Sequence, residues 1–236
     1  MPQEVIVKEE KKMMNIAIDG PAGAGKSTIA KKVAKQLGFI YVDTGAMFRA
    51  MGLYFLRNQI DLEDGEALKK ESGKILVELR FEEEEQQVFL NGENVNSYIR
   101  EEAVGKAASK IAVNQGIRSR LLEIQQQIAK ENNVVMDGRD IGTCVLPNAQ
   151  LKIYLTASSK ERARRRYEEL IAKGEECDLL AIEEDIVKRD YADMHREISP
   201  LKQAEDAILI DSSNMTIEQV GDAIIEQYHK VLAKTS

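Results

Sequence analysis

Residues 17–30 read AIDGPAGAGKSTIA, and this stretch constrains the chain more than any other. Its spacing, Gly20-x-x-x-x-Gly25-Lys26-Ser27, is that of a phosphate-binding loop. Glycines let the backbone turn tightly enough for several N–H groups to point at one anion. A helix that starts at the loop adds the positive end of its dipole. Gly20, Pro21, Ala22, Gly23, Ala24, Gly25, Lys26, Ser27 and Thr28 are therefore expected to surround the phosphates of a nucleoside triphosphate. Lys26 would reach the β- and γ-phosphates, and the Ser27 hydroxyl would ligate Mg²⁺. The flanks agree with this reading. NIAID before the loop is a short apolar run suited to a buried strand, and STIAKKVAKQL after it spaces Ile29, Val33 and Leu37 helically.

Similar apolar runs recur at FIYVD, NVVMD, LKIYLTA and AILIDS, with helical stretches between them. That alternation predicts an α/β fold of the P-loop NTPase type: a parallel five-stranded sheet with helices on both faces. Four of the five runs end at or just before an aspartate (Asp19, Asp43, Asp137, Asp211), and carboxyl ends of parallel strands are where ligands bind. For Asp19 and Asp211 the simpler role of starting a loop or capping a helix is preferred.

Between about 60 and 100 the rhythm breaks. ILVELRF, QQVFLNG and ENV look like short antiparallel strands, with Asn91-Gly92 as a hairpin turn. This predicts a small antiparallel insert. The acidic run from Glu82 to Glu85 reads as a solvated connection. Further on, SSKERARRRYEELIAKG is a helix opened by a capping box of Ser158 and Glu161 and stopped by Gly174. A second helix begins after Asp178 and runs to about Arg196. Its stripe of Leu179, Ile182, Ile186, Arg189, Asp193 and Arg196 shares one face, apolar first as a core contact would be, then charged as at the border of a polar cleft.

Composition narrows the partners. With 236 residues and a net charge of −7, the chain is one large domain or a core with an insert, and it lacks the basic balance of a general nucleic-acid binder. Cys144 and Cys177 have no metal-ligand spacing and there are only two histidines, which points to a reduced, cytoplasmic, zinc-free protein. No apolar run approaches the ~20 residues of a membrane span. The charged N-terminus, MPQEVIVKEEKKMM, has no signal-peptide core, so residues 1–13 are read as a dispensable extension to a single domain over 14–236.

Arginines concentrate near strand and helix ends: Arg49, Arg118, Arg139, and Arg162, Arg164, Arg165 and Arg166. Guanidinium is permanently charged and bidentate, which suits phosphate, and arginines stabilise the charge spread over a transferring phosphoryl group. In the 162–166 cluster, Arg162, Arg165 and Arg166 share a side, while Arg164 points to solvent. No general base stands among these groups. A hydroxyl acceptor would need one, whereas a phosphate with a second pKa near 6 is already a nucleophilic dianion. Many arginines and no base therefore point to a phosphate acceptor.

IAIDGPAGAGKST, DTGAMFRA, VMDGRDIGT, SSKERARRR and RDYADMHREISPL together resemble the bacterial cytidylate (CMP) kinases, collinearly over residues 14 to 230. The resemblance implies transfer of the ATP γ-phosphoryl to CMP or dCMP, with Mg²⁺, by a monomer with an enlarged nucleotide-monophosphate-binding insert and a short lid over about 158–178. By matching motifs it implies that Thr44 and Arg49 hold the acceptor's ribose-phosphate end and that Arg139 and Arg196 bind its phosphate. Arg189 and Asp193 would reach the ribose side, and Ser109, Arg118 and Asp140 would read the base. Lys26, Arg139, Arg196 and the lid arginines Arg162, Arg165 and Arg166 would act on the transferring group. Asp137 looks like the carboxylate that holds Mg²⁺, through water.

Rival readings fare worse. A UMP-preferring or shikimate-type kinase conflicts with DGRDIGT or with the missing base. A P-loop GTPase switch needs an NKxD stretch, and none is present. A nucleic-acid-dependent ATPase conflicts with the acidic balance and the 5% aromatic content.

Overall fold

The computed structural model of the protein describes residues 13–82 and 85–235. The expected N-terminal extension, apart from Met13, and the middle of the acidic run fall outside the described residues. In chain order, β1 (Asn15–Asp19), the phosphate loop and α1 (Lys26–Leu37) lead to β2 (Ile40–Asp43) and α2 (Thr44–Arg57). Next come α3 (Gly65–Ser72), the strands β3 (Val77–Glu82), β4 (Glu85–Leu90) and β5 (Glu93–Asn94), then α4 (Glu102–Ile111) and α5 (Gln115–Glu131). The chain re-enters the first sheet through β6 (Val134–Gly138), a π-helical turn (Ile141–Val145) and β7 (Leu151–Thr156). It ends with α6 (Ser159–Ala172), α7 (Leu179–His195), β8 (Ile208–Asp211) and α8 (Ile217–Thr235).

The five expected strands form one parallel sheet in the order β2-β6-β1-β7-β8. Successive side chains leave opposite faces of a strand. Ile16 and Ile18 pack with Ile29, Val33, Val220 and Ile224 under α1 and α8. Ala17, Val42, Val134 and Met136 pack with Ala129 of α5 and with Ile141 and Val145 of the π-helical turn. Both faces are covered, which is why these strands read as unbroken apolar runs.

The insert is the antiparallel sheet β3-β4-β5. Its hairpin turns at Asn91 and Gly92, with φ of 49° and 86°, a pair of left-handed residues that the Asn-Gly dipeptide accommodates. The apolar core beneath it runs from Ala46 to Leu121 and joins α2, α3, α4 and α5 to the strands, a wider body than the 60–100 window of the sequence pattern.

Two glycines set the geometry of the cleft floor. Gly20 has φ of +152°, and a Cβ there would lie 1.9 Å from the Leu155 carbonyl oxygen, so the loop can leave β1 only because that position is bare. A Cβ on Gly138 would lie 2.6 Å from Ile141 Cδ1 and 2.7 Å from Thr44 Oγ1, where β6 gives way to the Arg139–Asp140 pair.

α6 and α7 form a helical hairpin. Ser158 Oγ accepts the Glu161 N–H at 3.2 Å, but the reciprocal half of the expected capping box is not made. The Glu161 carboxylate is taken by Arg164 and Arg165, and the Ser158 N–H donates instead to Ser213 Oγ at 3.0 Å. Gly174, at φ of +78°, follows α6, and Asp178 caps α7 through the Ala181 N–H at 2.8 Å. The stripe on α7 does not begin as a core contact. Leu179 is 41% exposed and Asp190 is the one buried residue of the helix, which packs chiefly against α6.

Candidate active site

The phosphate loop is braced from three sides. Its N-terminal helix start is made by Gly25, left-handed at φ 83°, and the loop arches over Lys26, whose Nζ donates to the Pro21 carbonyl at 2.8 Å. Burial pulls the Lys26 ammonium down to about 7, with Arg139 adding to the fall and Asp137 and Asp19 opposing it. Beside it, Asp137 at the end of β6 accepts from Ser27 Oγ at 3.1 Å on one oxygen and from the Tyr41 hydroxyl at 2.8 Å on the other. Burial pushes Asp137 up to about 6, the Asp43 charge adds to this, and Lys26 counters it. Asp19, at the end of β1, accepts the Ile141 and Gly142 N–H groups at 2.8 and 2.7 Å. It is thus a cap, as its sequence position suggested, but for a turn more than 120 residues away in sequence. Burial also raises Asp19 to about 6.

Across the cleft lies a set of charge pairs. Arg118 on α5 donates to Asp140 Oδ2, and Arg196 reaches the other oxygen of the same carboxylate at 3.5 Å. Arg196 also donates from Nε to the Ser199 carbonyl at 2.6 Å. Arg139 Nε donates to Asp193 Oδ2 at 2.8 Å, and Arg196 approaches Asp193 at 3.8 Å. The structure thus brings Arg118, Arg139, Asp140, Asp193 and Arg196 into one network. A cavity lined by Thr44, Phe48, Arg118, Gln125, Asp140 and Cys144, among others, opens beside it. Thr44 begins α2 and donates from Oγ1 to the Asp137 carbonyl at 2.8 Å, tying the two halves of the site.

Arg49 projects from α2 to Asp43 at 3.3 Å, and its Nε is buried without a partner. Burial lowers its affinity for its proton, with Asp43 opposing. Arg189 is on α7, one turn before Asp193, and makes no ion pair or hydrogen bond among the described residues. Ser109 is exposed on α4, its hydroxyl donating to Gly105 of its own helix at 3.2 Å, outside the cavity lining.

The arginines of α6 part company. Arg162 is buried, donating to the Ala22 carbonyl in the phosphate loop at 2.9 Å, to the Ala157 carbonyl at 2.9 Å and to Asp190 at 2.6 Å. Arg165 donates to the Ser212 carbonyl at 2.7 Å, next to β8. Arg166 pairs with Glu169 of its own helix, and Arg164 faces solvent between Glu161 and Glu168.

Tyr41 and Asp190 carried no local sequence signal, and Asp43 stood out only as a strand-end aspartate. Tyr41 reads as one more apolar strand residue, yet its hydroxyl orients Asp137. Asp43 caps α2 through Ala46, but it also gathers Arg49 and Arg100, while Gln86 of β4 bonds its backbone N–H. Asp190 fell outside the cleft-facing stripe and is the partner of Arg162. Of these, only Asp43 lies at the carboxyl end of a parallel strand.

Comparison with known proteins identifies the family. The family model described as Cytidylate kinase matches residues 16–230. Cytidylate kinase of Caldicellulosiruptor bescii is 49% identical over 221 residues, covering 94% of this chain and 98% of the relative. That of Ligilactobacillus salivarius is 50% identical over 214 residues, covering 91% and 96%. Among solved structures, an uncharacterized protein from Eubacterium ventriosum superposes with a TM-score of 0.51 at 13% identity over 91% of this chain and 98% of that one, a likeness of fold alone. On the family model and on relatives at half identity over nine-tenths of the sequence, the chain belongs to the cytidylate kinase family of nucleoside-monophosphate kinases.

Proposed function

We propose that this protein transfers the γ-phosphoryl group of ATP to CMP or dCMP, using arginines to hold both phosphates and no general base. The observation that carries the reading is the shared carboxylate of Asp140. It is held by Arg118 and Arg196 in a buried network that continues through Asp193 to Arg139, beside Lys26 of the phosphate loop.

The donor lies on the loop from Gly20 to Thr28, where the backbone N–H groups and the α1 N-terminus meet its phosphates. Lys26 leaves the Pro21 carbonyl to bind them, and the added negative charge returns its ammonium to full protonation. Arg139 and Arg196 bind the acceptor phosphate, with Arg49 and Thr44 at its ribose-phosphate end and Arg189 and Asp193 on the ribose side. Arg165 and Arg166 on the lid, over about 158–178, act on the transferring group once the lid closes. Arg162 is best suited to hold the loop itself, since its guanidinium hydrogen-bonds Ala22, Ala157 and Asp190. Closure of lid and insert excludes water that would otherwise hydrolyse ATP.

Mg²⁺ fits the residues present. Ser27 and Asp137 supply a hydroxyl and a buried carboxylate 3.1 Å apart, hard oxygen donors whose uncompensated charge a divalent cation would neutralise. When bound, the ion neutralises charge developing on the phosphoryl oxygens.

No base is required because the acceptor phosphate is a dianion at neutral pH. Base choice follows from Asp140, a carboxylate that accepts from the N4 amino group of cytosine and repels O4 of uracil. Arg118 donates to the ring's N3 and O2. The enzyme works as a monomer, and residues 1–13 are dispensable to it. No described helix is long and apolar enough to cross a membrane.

The test is an ADP-release assay with Mg-ATP and a panel of CMP, dCMP, UMP, AMP, GMP and shikimate. Fast turnover with CMP and dCMP alone is expected. Equal efficiency with UMP would discard the role of Asp140. Silence with every monophosphate from folded, ATP-binding protein would overturn the reading.

A further inference from the structure

Gln125 lies two turns beyond Arg118 on α5, and the positions 115, 118, 119, 122 and 125 on that helix all line the cavity that holds Asp140. It is 3% exposed. A buried amide is expected to satisfy both its donor and its acceptor, because removing it from water without partners is costly. Gln125 does not do so. Its Nε2 finds the Met47 thioether at 3.7 Å, a weak acceptor. Its Oε1 accepts from no group among the described residues, yet it is not one of the polar atoms sealed from solvent without a partner, so it opens onto the cavity. The lining is mixed, with apolar Phe48, Leu122, Ile141 and Val145 beside the polar Thr44, Arg118 and Asp140. A leucine or methionine would fill the position at less cost to folding.

We propose that Gln125 is a specificity-determining residue that hydrogen-bonds the pyrimidine edge, its Oε1 accepting one N–H of the exocyclic amino group whose other N–H goes to Asp140. This rests on the reading of the cavity as the CMP base pocket. One carboxylate oxygen takes one N–H of an amino group, which leaves the second to be satisfied in a pocket closed to water. Gln125 supplies a neutral acceptor there, without placing a second negative charge beside Asp140.

Gln125→Leu and Gln125→Met, both of similar volume, test the idea through steady-state kinetics on CMP, UMP and ATP together with thermal melting. Expected for both variants are a KM for CMP raised about tenfold or more, a KM for ATP within twofold, a narrowed CMP-over-UMP ratio of kcat/KM, and a melting temperature equal to or above that of the wild type. The proposal is overturned by a KM for CMP within twofold of wild type. It is equally overturned by a lowered melting temperature with both KM values rising together, the pattern of a packing residue. The wild-type control separates the two levels. Wild type active on CMP with indifferent variants removes only Gln125, whereas wild type silent on CMP removes the base-pocket reading and this proposal with it.

Discussion

Arg162 on the hairpin of α6 and α7 donates a hydrogen bond to the carbonyl of Ala22, inside the phosphate loop, at 2.9 Å. The same guanidinium holds Asp190 of α7 at 2.6 Å, so one side chain pins the loop, α6 and α7 to each other. Arg162→Met removes this tie and leaves the Asp190 carboxylate buried without its partner, a situation that costs on the order of 3–5 kcal/mol. We expect urea denaturation to show a loss of that order, and expect Arg162→Met combined with Asp190→Leu to recover much of it. If Arg162 touched only the transferring phosphoryl, the single variant would lose kcat at unchanged stability.

The base preference should follow Asp140. Asp140→Asn keeps the size of the group, but its amide can turn to donate to O4 of uracil. We expect the CMP-over-UMP ratio of kcat/KM to narrow by about fivefold to a hundredfold, the equivalent of ~1–3 kcal/mol of discrimination. An unchanged ratio in competition assays would remove Asp140 from base reading. The asparagine variant is preferred to alanine because Arg118 and Arg196 both lean on this side chain.

These two residues mark what local pattern can and cannot carry. The five sheet strands, the Asn91-Gly92 hairpin, the helix starts at Ser158 and Asp178 and the stop at Gly174 are each written in a few adjacent residues, because burial on both sheet faces and turn chemistry act locally. Arg139 and Arg118 stood out by residue type near element ends, and Asp140 only through the family resemblance carried by DGRDIGT. The fate of Arg162 did not, since its burial is decided by Asp190, 28 residues on, and by Ala22, 140 residues back. Tyr41 was hidden for the same reason, and Asp43 was marked only by its strand end: their partners Asp137, Arg49 and Arg100 arrive from other elements. The exposed start of α7 was misjudged because period alone places residues on one face without saying what that face meets.

Tyr41 offers a direct test of such a hidden contact. Its hydroxyl occupies one Asp137 oxygen and so turns the other toward Ser27. Tyr41→Phe deletes one hydrogen bond to a charged group, worth about 1.5–3 kcal/mol. We expect a lower melting temperature together with an apparent KM for Mg²⁺ raised several-fold and a smaller change in KM for CMP. A variant with wild-type Mg²⁺ dependence would reduce Tyr41 to a packing role.

Asp19 gives the pH dependence. Burial raises its folded pKa to about 6 from an ordinary value of 3.8, so between those values the native state binds more protons than the unfolded chain. Its contribution to stability therefore falls as pH rises through that window and is flat above about 6. Asp19→Asn titrates in neither state and can accept only one of the two N–H bonds from Ile141 and Gly142. The variant should be less stable than wild type at both pH 5 and pH 7.5 on the loss of that bond. Its deficit should be larger at pH 5, where wild-type Asp19 is still largely protonated and free of the cost of a buried charge. Calorimetric melting of both proteins at the two pH values checks the sign. Equal deficits at the two pH values would mean that the two N–H bonds offset burial and hold the Asp19 carboxyl at or below its ordinary range.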